Sequence, residues 1–99
     1  MKELSAFQRD LLFVIDGMDE PYGLGIKAEL EAYRETTINP GQLYPNLNSL
    51  VEQGYLSKQR KDDRTNLYLP TDRVAAAIAD RRRWEAEQCT EPATTTPSP

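Results

Sequence analysis

The chain has 99 residues, the length of one small domain, and a formal charge of −4 at neutral pH. It contains no histidine and one cysteine. This composition excludes histidine-based acid–base catalysis, zinc sites with histidine ligands, disulfide frameworks and metal sites built on several cysteines. No stretch approaches the roughly 20 apolar residues of a membrane span, and the N-terminus lacks the apolar core of a signal peptide. We therefore expect a cytoplasmic protein with no metal, no cofactor and no membrane association.

The charges are distributed unevenly along the chain. Residues 1–35 carry four basic and eight acidic side chains, whereas residues 36–51 carry none of either sign. Residues 55–73 carry five basic side chains against three acidic ones. A neutral segment followed by a basic one is typical of a surface that approaches an anion. A buried helix beside an ordinary solvated hairpin would give the same pattern, so charge alone does not decide between the two interpretations.

The first part of the chain predicts two helices. Ser5 and Gln8 have the spacing of a capping box, and apolar residues follow at helical spacing, so a first helix is expected over about 5–17. After a turn rich in proline and glycine, a second helix is expected over about 23–35. The β-branched stretch Thr36–Ile38 predicts a short strand. The predicted apolar stripe of the second helix consists of Ile26, Leu30 and Tyr33.

A third helix is predicted from its two ends. Asn39 followed by Pro40 is a cap and then a first-turn proline, and Gly54 is the expected glycine after the last turn. Pro45 leaves two alternatives, because a proline beyond the first turn removes a hydrogen bond: the helix begins near Gly41, or it is kinked at Pro45. The predicted core face consists of Leu43, Leu47, Leu50 and Val51.

The last part of the chain predicts a hairpin, a helix and a tail. Residues 55–60 and 66–70 alternate in polarity around a charged turn, which predicts a β-hairpin with a charged tip. A final helix is expected over about 72–88. Residues 90–99 contain three prolines and no bulky apolar side chain, which predicts a disordered tail. The predicted inner face of the final helix consists of Val74, Ala77, Ile78, Arg81, Trp84 and Glu85.

The order helix, helix, helix, hairpin, helix is that of a winged helix-turn-helix, a mainly α fold with a small β-hairpin (α+β). In this fold the third helix is presented to the DNA major groove, and the hairpin, or wing, contacts the neighbouring backbone. The neutral segment coincides with the third helix and the basic segment with the wing, which favours DNA binding. We predict a winged helix-turn-helix DNA-binding domain over 1–71, a C-terminal dimerisation helix over 72–89 and a disordered tail over 90–99.

Two segments strongly resemble the PadR-like transcriptional regulators. Residues 40–56 match that family's pattern Pro-Gly-x-Leu-Tyr-Pro-x-Leu-x-x-Leu-x-x-x-Gly-Tyr/Leu-Leu/Ile, of which the first six positions are the specific part. Tyr22–Gly23 match a Tyr-Gly pair near the start of helix 2, and residues 68–71 loosely match the end of the family's wing. The resemblance covers about residues 5–88. It implies a dimeric winged-helix transcription factor, usually a repressor of adjacent genes.

The exposed side of helix 3 and the wing supply the candidate DNA contacts. Asparagine and glutamine can pair bidentately with adenine, so Gln42 and Asn48 are the candidate base-reading residues. Tyr44 can donate its hydroxyl to a phosphate, and Pro45 offers an apolar surface for a thymine methyl. Packing under helix 2 is the alternative for Tyr44, and plain solvent exposure is the alternative for Asn48 and Ser49. The predicted set is Asn39, Gly41, Gln42, Tyr44, Pro45, Asn48 and Ser49 on helix 3, with Lys58, Arg60, Lys61 and Arg64 on the wing.

A chain with few positive charges binds DNA modestly unless two copies act together. We therefore expect a homodimer on an inverted-repeat operator in double-stranded DNA. Near-heptad spacing on the last helix places the interface there, with helix 1 on the other side. Trp84 has two open roles: packing in the interface, which we favour, and lining a pocket for a small apolar effector, which the resemblance implies. The predicted interface residues are Phe7, Leu11, Val74, Ala77, Ile78, Arg81 and Trp84.

A second class of function stays open. The predicted third helix carries no cation and the whole chain is acidic, so the alternative is a winged-helix module that binds protein rather than DNA. An enzyme is a distant third interpretation, because the sequence shows no histidine, no paired-carboxylate setting and no phosphate loop. No catalytic residue is predicted.

Overall fold

A computed structural model describes residues 1–89 of the chain. The fold class and the order of elements predicted from the sequence are confirmed, and the helix boundaries agree closely with the predicted ones. The predicted tail, residues 90–99, lies outside the described residues. Within the described part, no helix is both long enough and apolar enough to cross a membrane. The elements are α1 (Ala6–Asp16), α2 (Gly23–Arg34), α3 (Pro40–Glu52), β1 (Leu56–Arg60), β2 (Asn66–Pro70) and α4 (Asp72–Gln88).

The start of α1 is fixed by the predicted capping box. Ser5 Oγ accepts a hydrogen bond from the backbone N–H of Gln8 (3.1 Å), and Gln8 Oε1 accepts one from the backbone N–H of Ser5 (3.4 Å). Gln8 also reaches α3, where its Nε2 donates to Oδ1 of Asn46 (3.0 Å). Asn46 Nδ2 in turn donates to the backbone carbonyl of Gln42 (2.7 Å). The cap of the first helix therefore also holds α1 against α3.

The helices and the hairpin enclose one apolar core. The predicted core leucines of α3, Leu43, Leu47 and Leu50, have no exposed surface. Tyr33 was predicted to share the buried stripe of α2, and this prediction is wrong, because its side chain is 73% exposed. The end of α2 contacts α1 through Arg34 instead. The guanidinium of Arg34 lies 5.1 Å from the centre of the Phe7 ring and 3.0 Å from Oδ2 of Asp10.

The connection between α2 and α3 is irregular, so the strand predicted at Thr36–Ile38 is wrong. The N–H of Ile38 donates to the carboxylate of Glu31 (2.8 Å) rather than to a strand partner, and this hydrogen bond lowers the pKa of Glu31. Asn39 then caps α3 as predicted, its Oδ1 accepting from the N–H two residues on (2.6 Å). The helix begins at Pro40 and runs through Pro45. At Pro45 the missing N–H leaves the carbonyl four residues earlier without its helical partner.

A third strand position, which the sequence did not predict, extends the hairpin. β1 and β2 pair antiparallel, and Tyr22 forms an isolated antiparallel bridge with Leu67 on the free side of β2. Beside it, the N–H of Tyr68 donates to the carbonyl of Pro21 (2.8 Å). The connection between α1 and α2 is therefore attached to the hairpin by backbone hydrogen bonding.

Gly54 ends α3 in the way the sequence predicts. Its φ is +83°, in the left-handed region, and its N–H donates to the carbonyl of Val51 (3.0 Å). The next N–H, of Tyr55, donates to the carbonyl of Leu50 (3.0 Å). These two bonds form a Schellman motif, which turns the chain from α3 directly into β1.

Replacing Gly54 with alanine is expected to lower the free energy of unfolding by about 1–2 kcal/mol, because an L-residue in the left-handed region is strained by that amount. Urea denaturation followed by circular dichroism measures the change. Gly17→Ala is the matched control, since Gly17 also follows a helix but has a φ of −92° and leaves room for a Cβ, with the nearest atom at 3.8 Å. Equal stabilities of the two variants would contradict the conformational role of Gly54.

Candidate nucleic-acid interface

The side of α3 opposite the core carries the predicted base-reading residues. The leucines, three and four residues apart, occupy one face of the helix, which leaves the other face to solvent. Gln42 and Asn48 lie on this open face, and neither side chain makes a hydrogen bond within residues 1–89. Ser49 Oγ, by contrast, accepts from Nε2 of Gln53 (3.0 Å). Of the predicted α3 contacts, the exposed ones are Asn39, Gly41, Gln42, Pro45 and Asn48, and the partly buried ones are Tyr44 and Ser49.

Tyr44 packs against the first residue of α2 and lines a cleft. A Cβ built on Gly23 would collide with the Tyr44 hydroxyl and would lie 2.8 Å from Cε1 of the ring, so the ring can occupy this position only beside a glycine. This packing agrees with the alternative stated for Tyr44. The cleft, of about 370 Å³, lies between α2, α3 and the hairpin, and Arg64 of the hairpin lines it too. The structure therefore brings one predicted helix contact and one predicted wing contact to the same opening.

The predicted wing cations differ in what they touch. The ammonium of Lys58 lies 5.8 Å from the centre of the Tyr68 ring. The guanidinium of Arg60 donates to two backbone carbonyls of the wing tip (3.2 and 3.3 Å). Within the described part of the chain, the side chain of Arg64 makes no hydrogen bond or ion pair. Aromatic and carbonyl contacts orient a cation without cancelling its charge, so within the described residues none of these three cations is paired with a carboxylate, although the wing tip itself carries Asp62 and Asp63.

Lys61 is bound by a carboxylate. Its ammonium donates to Glu20, which lies in the connection between α1 and α2. This hydrogen bond and the charge of Glu20 raise the pKa of Lys61. Both side chains are exposed, Lys61 by 46% and Glu20 by 60%. The pair cannot be predicted from the sequence, because 41 positions separate the two residues and no local pattern links them.

The predicted dimer-interface residues fall into two groups. One group is buried in the core of its own chain and offers no surface to a second copy. The near-heptad spacing along the first half of α4 therefore reflects packing within one chain. Arg81 and Trp84 lie on the surface: Trp84 is 49% exposed, and the Arg81 guanidinium lies 4.7 Å from the centre of its ring. Beyond Arg81, all residues of α4 are exposed. The five predicted interface residues buried in the chain's own core are Phe7, Leu11, Val74, Ala77 and Ile78.

A groove that sequence analysis did not single out lies between α1, α2 and α4. Its volume is about 460 Å³, and exposed Phe13 and Tyr33 form its apolar part together with partly buried Val14. The sequence contained one indication of this groove. Phe13 lies on the solvent-facing side of α1, where a helix normally carries a polar residue. Three carboxylates complete the lining of the groove, those of Asp10, Glu29 and Glu85.

A second cavity of about 460 Å³ lies at Trp84. It opens between the N-terminus and the middle of α4, and Met1 contributes apolar surface beside the indole ring. Its other lining residues are charged, two of each sign: Lys2, Arg81, Glu3 and Asp80. The cavity therefore combines an aromatic wall with a polar rim.

Comparison with known proteins identifies the family. The sequence model of the Transcriptional regulator PadR-like family matches residues 11–80. Among solved structures, RosR of H. salinarum is 39% identical with a TM-score of 0.85, over 90% of this chain and 80% of that one. A complex structure of hsRosR-SG is 40% identical with a TM-score of 0.86, over 94% of this chain and 82% of that one.

A more distant neighbour shares the fold alone. A MarR-family transcriptional regulator from Rhodococcus sp. RHA1 superposes with a TM-score of 0.59 at 16% identity, over 93% of this chain and 67% of that one. No sequence among the curated proteins matches the chain at a significant level.

Proposed function

The chain belongs to the PadR-like family of transcriptional regulators, and from this premise we propose that it is a homodimeric repressor that binds an inverted-repeat operator in double-stranded DNA. Membership of a family of transcription regulators makes it a DNA-binding regulator rather than an enzyme. In the proposed complex, α3 enters the major groove and the wing lies on the flanking backbone or in the minor groove.

The observation that carries this proposal is the cleft shared by Tyr44 and Arg64. A DNA strand that borders the major groove on α3 has to cross this opening to reach the wing. There the Tyr44 hydroxyl and the Arg64 guanidinium can donate to its phosphates. Beside the cleft, Gln42 and Asn48 present amide groups with no partner in residues 1–89, as base reading requires.

The homodimer is supported by the second half of α4. From residue 82 onward this helix is exposed, and a helical extension of only two turns is not stable in water without packing. It exposes Trp84 in a stretch whose charges balance, and the groove between α1, α2 and α4 offers the apolar surface of Phe13 and Tyr33. We propose that 72–89 forms the dimerisation helix and that its exposed aromatic end packs on this groove of a second copy. In the alternative role stated for Trp84, a small apolar effector would bind in the cavity beside this ring.

Replacing Asn48 with alanine is expected to weaken binding to the operator about fivefold to 150-fold, which corresponds to about 1–3 kcal/mol for one bidentate base contact. Binding to a scrambled duplex of the same composition should not change, because phosphate contacts carry no sequence information. Fluorescence anisotropy with a duplex from the gene's own upstream region and with the scrambled duplex measures both.

Thr36→Ala is the matched control for this test, since it removes an exposed, uncharged polar side chain from the connection between α2 and α3 rather than from the open face of α3. An Asn48→Ala variant that binds both duplexes as tightly as the wild type would remove Asn48 from the base-reading set. A wild-type chain that does not distinguish the two duplexes would favour the protein-binding module instead.

A further inference from the structure

We propose that Glu20 limits the affinity of the wing for DNA, because it holds Lys61 in an intramolecular ion pair that a DNA phosphate must displace. This inference rests on the proposed function, since it concerns one of the cations proposed to contact DNA. It identifies a residue outside α3 and the wing that sets the strength of binding.

Lys61 differs from the other wing cations in the charge of its partner. Lys58 lies over an aromatic ring and Arg60 donates to backbone carbonyls, and both contacts leave the positive charge uncompensated. Lys61 donates to the carboxylate of Glu20, which cancels its charge in the free protein. The wing therefore presents one positive charge fewer to DNA than its sequence suggests.

The backbone keeps Glu20 beside the wing. The next residue, Pro21, accepts a hydrogen bond from the N–H of Tyr68 (2.8 Å), and Tyr22 bridges Leu67. The position of Lys61 is equally fixed, because its backbone N–H donates to the carbonyl of Thr65 across the wing tip (2.9 Å). Moving the wing away from Glu20 would break the backbone contacts with Pro21 and Tyr22, so the ion pair opens by rotation of the two exposed side chains.

Release of Lys61 has two electrostatic consequences when DNA binds. Lys61 loses its ion pair with Glu20 when it forms one with a phosphate. The net gain in binding free energy is therefore smaller than for an unpaired lysine. The Glu20 carboxylate is then left without its partner close to the phosphate backbone, and like charges repel. Both effects oppose binding, and both disappear when Glu20 is replaced by the uncharged, isosteric glutamine.

The experiment compares Glu20→Gln with Asp19→Asn. Asp19 is the adjacent exposed carboxylate, and it makes no ion pair within the described residues, so both variants change the net charge equally at nearly the same place. Each variant is also made in a Lys61→Gln background. Anisotropy titrations use the upstream duplex and the scrambled duplex at about 0.1 M and about 0.5 M salt, where screening of exposed charges differs strongly.

Glu20→Gln is expected to bind both duplexes about twofold to fivefold more tightly than the wild type at the lower salt, the range for an exposed ion pair. The affinity of Asp19→Asn for the two duplexes should increase by a smaller factor. In the Lys61→Gln background the advantage of Glu20→Gln over Asp19→Asn should shrink, because no ion pair remains to be broken and only the repulsion between Glu20 and the phosphates is left. At the higher salt the advantage of Glu20→Gln should shrink, since the pair is screened.

Two results would overturn the inference while leaving the proposed function intact. One is a Glu20→Gln variant that binds no more tightly than Asp19→Asn. The other is an advantage of Glu20→Gln over Asp19→Asn that persists unchanged in the Lys61→Gln background, because it would then not act through Lys61. A wild-type chain that binds neither duplex would overturn the proposed function, and this inference with it.

Discussion

Replacing Trp84 with glutamate is expected to convert the proposed dimer into a monomer and to weaken operator binding about 10²–10⁴-fold. The physical reason is that the second half-site ceases to be bound intramolecularly, so the high effective concentration that links the two copies is lost. A buried carboxylate against the aromatic groove of the partner would also be desolvated without a compensating charge. Light scattering measures the mass of the particle in solution, and anisotropy with the upstream duplex measures the affinity.

Trp84→Phe is the control for this variant, because it keeps an aromatic ring at the same position and should leave the dimer intact. Trp84 is 49% exposed and outside the core, so the far-ultraviolet circular dichroism of the monomeric variant should show a folded domain. A Trp84→Glu protein that remains a full-size dimer would remove Trp84 from the interface. A monomeric wild type would contradict the homodimer itself.

Replacing Leu47 with alanine is expected to lower the free energy of unfolding by about 2–5 kcal/mol, the range for a fully buried leucine. Leu47 has no exposed surface and lies in the middle of the core face of α3. A loss of this size is a large fraction of the stability of a small domain. Urea denaturation followed by circular dichroism measures the loss as a lower midpoint of unfolding.

The adjacent residue supplies the control. Asn48 is exposed on the opposite face of the same helix, so Asn48→Ala should change the stability by no more than about 0.5 kcal/mol while it weakens operator binding. The two neighbours thus separate the folding face of α3 from the face proposed to read DNA. Similar losses of stability in both variants would contradict this division.

Local signals explain why so much of the fold was predictable. Ser5 and Gln8, Asn39 and Pro40, and Gly54 each fix a helix end through groups within a few residues of one another. Such bonds form in any context that allows the helix, so the sequence predicts them. The periodicity of the leucines on α3 is local in the same sense, and it defined the open face that carries Gln42 and Asn48.

The features that escaped prediction depend on distant pairing. Tyr22 forms a bridge of a single residue, and a single residue has no alternation for sequence analysis to detect. The ion pair of Lys61 with Glu20 joins two ordinary charged side chains from different parts of the chain. Their proximity follows from the packing of the hairpin against the connection between α1 and α2, which no local pattern encodes.

The predicted interface shows a different kind of ambiguity. Val74, Ala77 and Ile78 have the spacing of a helix that packs on something, and the same spacing serves the core of one chain or a contact between two. The structure assigns these three to the core. Trp84 differs from them because it lies in the part of α4 that extends past the rest of the domain. Where this part begins depends on the lengths of the other helices.

The bridge between Tyr22 and Leu67 also fixes the length of the connection that joins α1 to α2. Surface loops usually accept inserted residues, because a longer loop costs little additional closure entropy. Here one inserted residue ahead of Tyr22 would shift it by one position against β2 and turn its side chain to the opposite face of the sheet. The same insertion would carry Glu20 away from the wing. The turn is therefore as intolerant of insertion as a strand, although most of its residues belong to no regular element.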